Sequence, residues 1–439
     1  MTKPDRLLRD ELVRRLLAGT ADLPTSRLGR FGRTASAALR TARLLVGRRG
    51  EGELDPEAIA RIVASIGQLK GIAMKVGQIA SYVDVTLPEE LQRSLAVLQT
   101  HAQPMPVETV RGILEAELGE RGRVLSTTLE PVPIAAASIG QVHRARLPDG
   151  TGVAVKVQYP GIERAIESDF SPTAIGTRIG SLFYPGAEIE AFVAEARTRF
   201  LEECDYVHEA AAQGRFARLF RGHPVIAVPD VHGDYGSRRV LTSTWVDGKS
   251  FDLFLETGPS RESRDRIGKA LFTFYVGSIF THGLYNCDPH PGNYLFPPDG
   301  RIAVLDYGCT REFPPTFVEK LARLTRAVHD DDRDALERSF VELGMVRRGR
   351  RYDFDTARSL VRAFHGPMLR DEEQAIELGA AMGLREVYEG KRELLRLSLP
   401  GEFLFLLRIR FGLMGVLARL GARANWRRLE AGFISGHGM

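Results

Sequence analysis

Residues 286–308 read NCDPHPGNYLFPPDGRIAVLDYG. The apolar runs YLF (294–296) and IAVLDYG (302–308) lie either side of a Pro-Asp-Gly turn, so the stretch predicts two short strands joined tightly. Polar residues gather at the outer ends of these strands. Asp288 and Asn293, five apart, precede the first, and Asp306 closes the second, just before Gly308. Such hard oxygen donors suit Mg²⁺, which is held by few protein ligands and completes its shell with phosphate oxygens.

Upstream, QVHRARL (141–147) alternates, Pro148-Asp149-Gly150 marks a turn, and VAVKVQY (153–159) is β-rich, which predicts a hairpin with Lys156 on its second strand. The Asp288-to-Asn293 offset is that of the protein-kinase catalytic loop, Asp306 stands where a D-F-G aspartate would, and Lys156 stands where V-A-I-K supplies a lysine to the α/β-phosphates. Singly, each match has an ordinary explanation: a strand ending in Lys is commonly a solvated edge, and an Asp before a Gly is commonly a turn. Here all three occur in the kinase order, each in the expected local structure. Glu203 and Glu209, both in EECDYVHEA (202–210) on a predicted helix, are equal candidates to pair with Lys156. The segment placed to cover the phosphates, AAASIGQV (135–142), has Ala135, Ala136 and Ala137 before Ser138 and the single Gly140. Alanine Cβ atoms restrict the backbone, so this loop is expected to be stiffer than a glycine-rich one, with Ser138 as an added hydroxyl donor.

The chain has 439 residues, 44% hydrophobic and 26% charged, which excludes a fibre or long disorder. A net charge of +4 is too weak to argue nucleic-acid binding by the chain as a whole. Residues 1–50 carry 12 Lys/Arg against 4 Asp/Glu, a basic leader that is either a solvated arm or a contact for an anionic membrane surface. Three sparse cysteines, Cys204, Cys287 and Cys309, fit a reducing compartment; all lie beside the motifs, where small buried side chains explain them as well as a redox or metal cluster would. No secretory signal is visible. The most apolar run, Phe403 to Ala418, is broken by Arg408 and Arg410, so a packed lobe helix is favoured over a membrane-touching one, and none is expected to span.

Periodicity predicts a helix over 55–82 and another over 107–118, a helix-rich stretch over 161–220, and a second β patch with VIAVPDV (225–231) and RRVLTSTWV (238–246) around the turn at 233–236. Helices are expected over 261–283, 315–345 and 355–420. The expected architecture is an α+β, two-lobed protein-kinase-like fold with an N-terminal helical extension packed over the cleft. Its divisions are a basic leader (1–50), the extension (51–120), an N-lobe (121–247) and a mainly helical C-lobe (248–439).

KVGQ (75–78), AAASIGQVHRA (135–145), VAVKVQYPG (153–161), ECDYVHEA (203–210), NCDPHPGN (286–293) and LDYG (305–308) together resemble the UbiB family of atypical kinase-like proteins, associated with coenzyme Q and other isoprenoid-lipid metabolism. The resemblance runs from about residue 60 to 415. It implies ATP with Mg²⁺ or Mn²⁺, Lys156 and the Ala-rich loop at the nucleotide, Asp288 at the catalytic position, and Asn293 and Asp306 on metal. It also implies that the helix bearing Lys75, Gly77 and Gln78 lies across the cleft, with Lys75 reaching toward acids such as Glu203 or Asp205.

The sequence departs from protein kinases in three places. Asn286 and Cys287 precede Asp288 where an H-R-D arginine would be, Tyr307 replaces the D-F-G phenylalanine, and CTREFPP leads almost directly into helix with no A-P-E segment. His290 is expected to be a structural loop residue. The expected function is an Mg-ATP-dependent kinase-like ATPase supporting quinone or isoprenoid-lipid metabolism at a membrane surface. A small-molecule phosphotransferase and a nucleotide-gated scaffold without turnover are the alternatives. Expected partners are ATP, a prenyl-quinone-like lipid or lipid-synthesis proteins and an anionic membrane surface, with no nucleic acid. The expected location is cytoplasmic, at the inner face of the membrane.

Overall fold

The structure, a computed structural model, describes residues 104–137, 139–163, 204–346, 352–377 and 401–436. The basic leader, Lys75 and the rest of the extension before residue 104, Ser138 and Glu203 lie outside the described residues. The chain divides into two compact units. One comprises residues 1–206 with 233–242, and the other residues 207–232 with 243–439.

In the first unit, helices α1 (Val107–Leu118) and α2 (Glu120–Thr127) precede strands β1 (Ala135–Ala137), β2 (Gly140–Arg146) and β3 (Gly152–Gln158). The predicted hairpin is present: β2 and β3 pair antiparallel from Gly140↔Gln158 to Arg146↔Gly152. Alternation along β3 turns Val153, Val155 and Val157 into a core shared with Val110, Leu114 and Leu125, which leaves Ala154 and Lys156 on the other face. The alanine run is strand β1, paired to β2 with Ala137 opposite Gly140. Gln141 is buried in this hairpin; its Oε1 accepts from Met105 N at 2.7 Å and its Nε2 donates to Met105 O at 3.3 Å. That pair of bonds fixes the chain entering α1 against the sheet.

Helix α3 (Tyr206–Leu219) begins at the last residue of the first unit and continues in the second. The two runs read as one β patch part company. Strand β4 (Ile226–Ala227) pairs parallel with β9 (Ile302–Val304), whereas β5 (Val240–Thr244) joins the β1–β2–β3 sheet; a single bridge, Val231↔Ser243, links the two runs. The reason is burial: Val225 and Ile226 find their apolar partners in the core around Ile302, and Val240 finds its own beside Val155.

In the second unit, β6 (Lys249–Ser250), β8 (Tyr294–Phe296), β9 and β4 form one small sheet, and β7 (Leu284–Asn286) pairs antiparallel with β10 (Thr310–Glu312). Around them pack α4 (Phe251–Glu256), α5 (Arg261–Phe272), α6 (Ser278–His282), α7 (Pro315–Asp330), α8 (Arg333–Glu342) and α9 (Phe354–His365). Beyond the two-residue strand β11 (Gln374–Ala375), helix α10 (Gly401–Leu420), β12 (Arg423–Ala424) and α11 (Trp426–Ile434) complete the order. Between α5 and α6 the helix widens into one π turn, Thr273–Gly277. Helix α10 is the apolar run of the C-terminal region: Leu406, Ile409, Leu413 and Leu417 are all buried in the core of this unit. Among the described residues no helix is long and apolar enough to cross a membrane.

Candidate active site

Strand β7 delivers the chain to Asp288, and β8 carries it away from Asn293. The loop between them is held by its own polar groups. Asn286 Oδ1 accepts from Asp288 N at 2.8 Å, His290 N donates to Asp288 O at 2.8 Å, and His290 Nδ1 accepts from Gly292 N at 3.0 Å. His290 thus caps the short turn Pro291–Asn293, a structural role. Asn293 Nδ2 donates to both Asp288 O, at 3.1 Å, and Asp288 Oδ2, at 3.0 Å. With its amide nitrogen so engaged, the Asn293 Oδ1 is the atom left to serve as an oxygen ligand.

Asp306 reaches the same place from β9. Asn286 Nδ2 donates to Asp306 O at 2.7 Å, and Leu305 N donates to Asn293 O at 3.0 Å, so both acidic turns are tied to one loop. Asp306 Oδ1 accepts from Gly308 N at 3.0 Å. Tyr307 is fully buried between Phe216 and Phe274, and its hydroxyl donates to Val304 O at 3.1 Å. A tyrosine therefore fits where a phenylalanine was expected, because a carbonyl receives its hydroxyl.

Glu209, buried on α3, belongs to this cluster. A Cβ added at Gly308 would stand 3.5 Å from Asp306 Oδ1 and 3.6 Å from Glu209 Oε2, so the two carboxylates flank the glycine. The second unit thus brings together Asp288, Asn293, Asp306 and Glu209. Lys156 and Ala135, Ala136, Ala137 and Gly140 belong to the first unit, where the Lys156 ammonium sits 4.9 Å from the centroid of the Tyr206 ring, a cation–π contact. Gly140 is required there for close approach: a Cβ would fall 2.2 Å from Val157 O.

Two residues were not singled out for this site from sequence. Arg408, on α10, donates from Nη2 to Asp288 Oδ1 at 3.0 Å and directs Nη1 at the Cys309 sulfur 3.7 Å away. It supplies an arginine beside Asp288, which the N-C-D tripeptide lacks. Burial alone would raise the Asp288 carboxyl, but the charges of Arg408 and His290 and the hydrogen bond from Asn293 outweigh it and hold the group below its ordinary value. Gly412, one turn further along α10, lets the helix lie against the loop: a Cβ would fall 2.6 Å from Pro289 Cγ. The signal for Arg408 was in the sequence, since an arginine inside an apolar helix needs a partner. The same holds for Arg410, whose Nη2 donates to the fully buried Glu430 at 2.7 Å.

Asn293 and Asp306 offer a divalent ion an amide and a carboxylate oxygen, the hard donors Mg²⁺ takes. Among the described residues no group of three or more His, Cys, Asp or Glu side chains is placed to hold a metal ion by itself.

The fold and this arrangement define a kinase-like protein with mixed helix and sheet. The ABC1 atypical kinase-like domain matches residues 97–340, more than half the chain, and the chain belongs to that family. Atypical kinase COQ8, mitochondrial, of Saccharomyces cerevisiae is 34% identical over 298 residues, 67% of this chain and 58% of the yeast protein. Atypical kinase coq-8, mitochondrial, of Caenorhabditis elegans is 32% identical over 349 residues, 74% of this chain and 46% of the worm protein. The chain spans about half the length of the curated relatives it matches. Among solved structures, the Rv3197–erythromycin complex from Mycobacterium tuberculosis superposes with a TM-score of 0.63 at 28% identity, covering 87% of this chain and 97% of that one.

Proposed function

We propose that this chain is an atypical kinase-like ATPase that binds Mg-ATP and serves quinone or isoprenoid-lipid metabolism at a membrane surface. The observation that carries the reading is the loop in which Asn293 donates to Asp288 while Asn286 holds the Asp306 turn, so that the three side chains lie together; in this reading Asp288 is the general base and Asn293 and Asp306 are hard metal ligands. Bound there, Mg²⁺ supplies positive charge to the phosphate oxygens. Asn293 and Asp306 are its ligands in this reading. Asp288, kept ionised by Arg408, orients a water or a small hydroxyl and accepts its proton. Lys156 and the stiff Ala135–Ala137 strand serve the nucleotide phosphates; Lys75, Ser138 and one of Glu203 or Glu209 complete the set by family resemblance. Catalysis of this kind is positioning and electrostatics.

The acceptor in this reading is not a protein. The chain passes from Gly308 through β10, which is paired to β7, straight into α7 at Pro315. No stretch is left there to form the activation loop on which a peptide docks. The names of the mitochondrial COQ8 relatives and the family's tie to ubiquinone support a lipid-linked role; a place at the inner face of a membrane belongs to the proposed reading.

Asp306→Asn tests the reading directly. It is expected to abolish thermal stabilisation by Mg-ATP while leaving the unliganded melting temperature nearly unchanged; undiminished stabilisation would refute the metal assignment. ATP turnover measured with and without prenyl-quinone-bearing liposomes tests the lipid role.

A further inference from the structure

Cys287 and Cys309 come from different strands of one small ladder. Beyond the last registered pair, Asn286↔Thr310, Cys287 N donates to Cys309 O at 2.9 Å, so the two cysteines face each other across the ladder. Directly opposed antiparallel residues have Cα atoms about 4.5–5.5 Å apart and side chains on one face. That separation lies within the roughly 4.4–6.8 Å that a disulfide spans. The two thiols are near enough to influence each other's protonation. Their environments differ. Cys287 is fully buried, whereas Cys309 is partly exposed and its sulfur faces the Arg408 guanidinium at 3.7 Å.

We propose that Cys287 and Cys309 are a peroxide-reactive dithiol, with Cys309 as the attacking sulfur and Cys287 as the resolving one. The dithiol lies beside Asp288, but its oxidation chemistry does not rest on the reading above. The asymmetry that a two-cysteine sensor needs is present: a half-buried residue whose sulfur lies beside a cation, and a fully buried partner opposite it. The hydrogen bond from Cys287 lowers the Cys309 thiol to about 6 against the opposing effect of burial, with Arg408 and Arg311 assisting and Asp288 opposing. Burial raises the Cys287 thiol, which keeps it protonated until the second step.

The Cys309 thiolate attacks one oxygen of hydrogen peroxide. The S–O bond forms, the O–O bond breaks, hydroxide leaves, and the sulfur is oxidised to a sulfenic acid as the peroxide is reduced. The Cys287 sulfur then attacks the Cys309 sulfur; the S–S bond forms, the S–O bond breaks, and water departs with the Cys287 proton. Overall, two thiols and one peroxide give one disulfide and two waters. The bridge joins the residue before Asp288 to the residue after Gly308, and it takes from Arg408 its sulfur acceptor.

The test is a non-reducing peptide map of the full chain after stoichiometric hydrogen peroxide. The expected product is one Cys287–Cys309 cross-link, reversed by dithiothreitol, formed equally well in Cys204→Ser and absent from Cys309→Ser. In Cys287→Ser, dimedone should capture a sulfenic acid at Cys309. Before oxidation, iodoacetamide at pH 7 should label Cys309 roughly tenfold faster than Cys204 or Cys287. Cross-links that run through Cys204, or peroxide treatment that leaves Cys309 reduced in the natively folded chain, would overturn the proposal.

Discussion

Arg408 Nη2 donates to Asp288 Oδ1 at 3.0 Å across 120 residues of sequence. Both side chains are about a quarter exposed, so the pair is sheltered without being sealed from water. One guanidinium sets the charge state of the aspartate and binds helix α10 to the loop that carries it.

Removing the guanidinium should therefore show in two ways. Arg408→Ala is expected to cost about 1.5–3 kcal/mol, the range for a hydrogen bond to a charged group, and to raise the Asp288 carboxyl toward its ordinary value. Arg408→Lys keeps the charge but cannot reach Asp288 and Cys309 with one planar fork, so an intermediate loss is expected. Thermal melts and the acid limb of the ATPase pH profile measure the two effects separately.

Gly412 offers a purely steric test. In Gly412→Ala the new methyl meets Pro289 Cγ at 2.6 Å, so either α10 or the Asp288 loop must shift. Helix propensity favours alanine by about 1 kcal/mol, so any loss of stability reports the clash. We expect a lower melting temperature and weakened nucleotide binding; a variant more stable than the parent would show that the loop yields freely.

Gly140 and Gly308 make a matched pair of predictions. A Cβ at Gly140 stands 2.2 Å from a backbone carbonyl that cannot move aside, and Gly140→Ala should cost about 1–3 kcal/mol through overpacking. A Cβ at Gly308 meets only ordinary contacts of 3.5 Å and more. Gly308→Ala should fold normally, with any effect confined to metal-dependent binding. Chemical denaturation of both variants checks the contrast.

Stability should fall between about pH 6.5 and pH 4 for a reason located in His365. This side chain is fully buried, its Nδ1 donates to Val361 O at 2.8 Å, and burial lowers its pKa to about 4. Above pH 6.5 both folded and unfolded forms are neutral and the group contributes nothing. As pH falls toward 4 the unfolded chain binds a proton that the folded chain refuses, and the cost grows to roughly 3 kcal/mol. His365→Gln should flatten this limb of the stability profile; an unchanged slope would assign it to other groups.

Much of this protein can be read along its chain. The β2–β3 hairpin, the β8–β9 pair with its Pro-Asp-Gly turn and the helix over 107–118 follow from alternation, turn residues and periodicity, all of which are local. The spacing of Asp288, Asn293 and Asp306 is equally local, because one loop and one turn carry all three. Local pattern also made Arg408 and Arg410 visible, but only as interruptions in an apolar run.

Their meaning was decided by tertiary structure. In the fold each arginine finds a carboxylate, Asp288 or Glu430, and a helix that looked flawed becomes the support of the Asp288 loop. The 225–231 and 238–246 runs have strand-like composition, yet which sheet each joins depended on distant apolar partners. The facing of Cys287 and Cys309 likewise arises from pairing β7 with β10 across the whole loop between them. Period and turn chemistry act over a few residues and are written in the chain. Partners for a buried charge, and room for a missing Cβ, exist only once remote segments have packed.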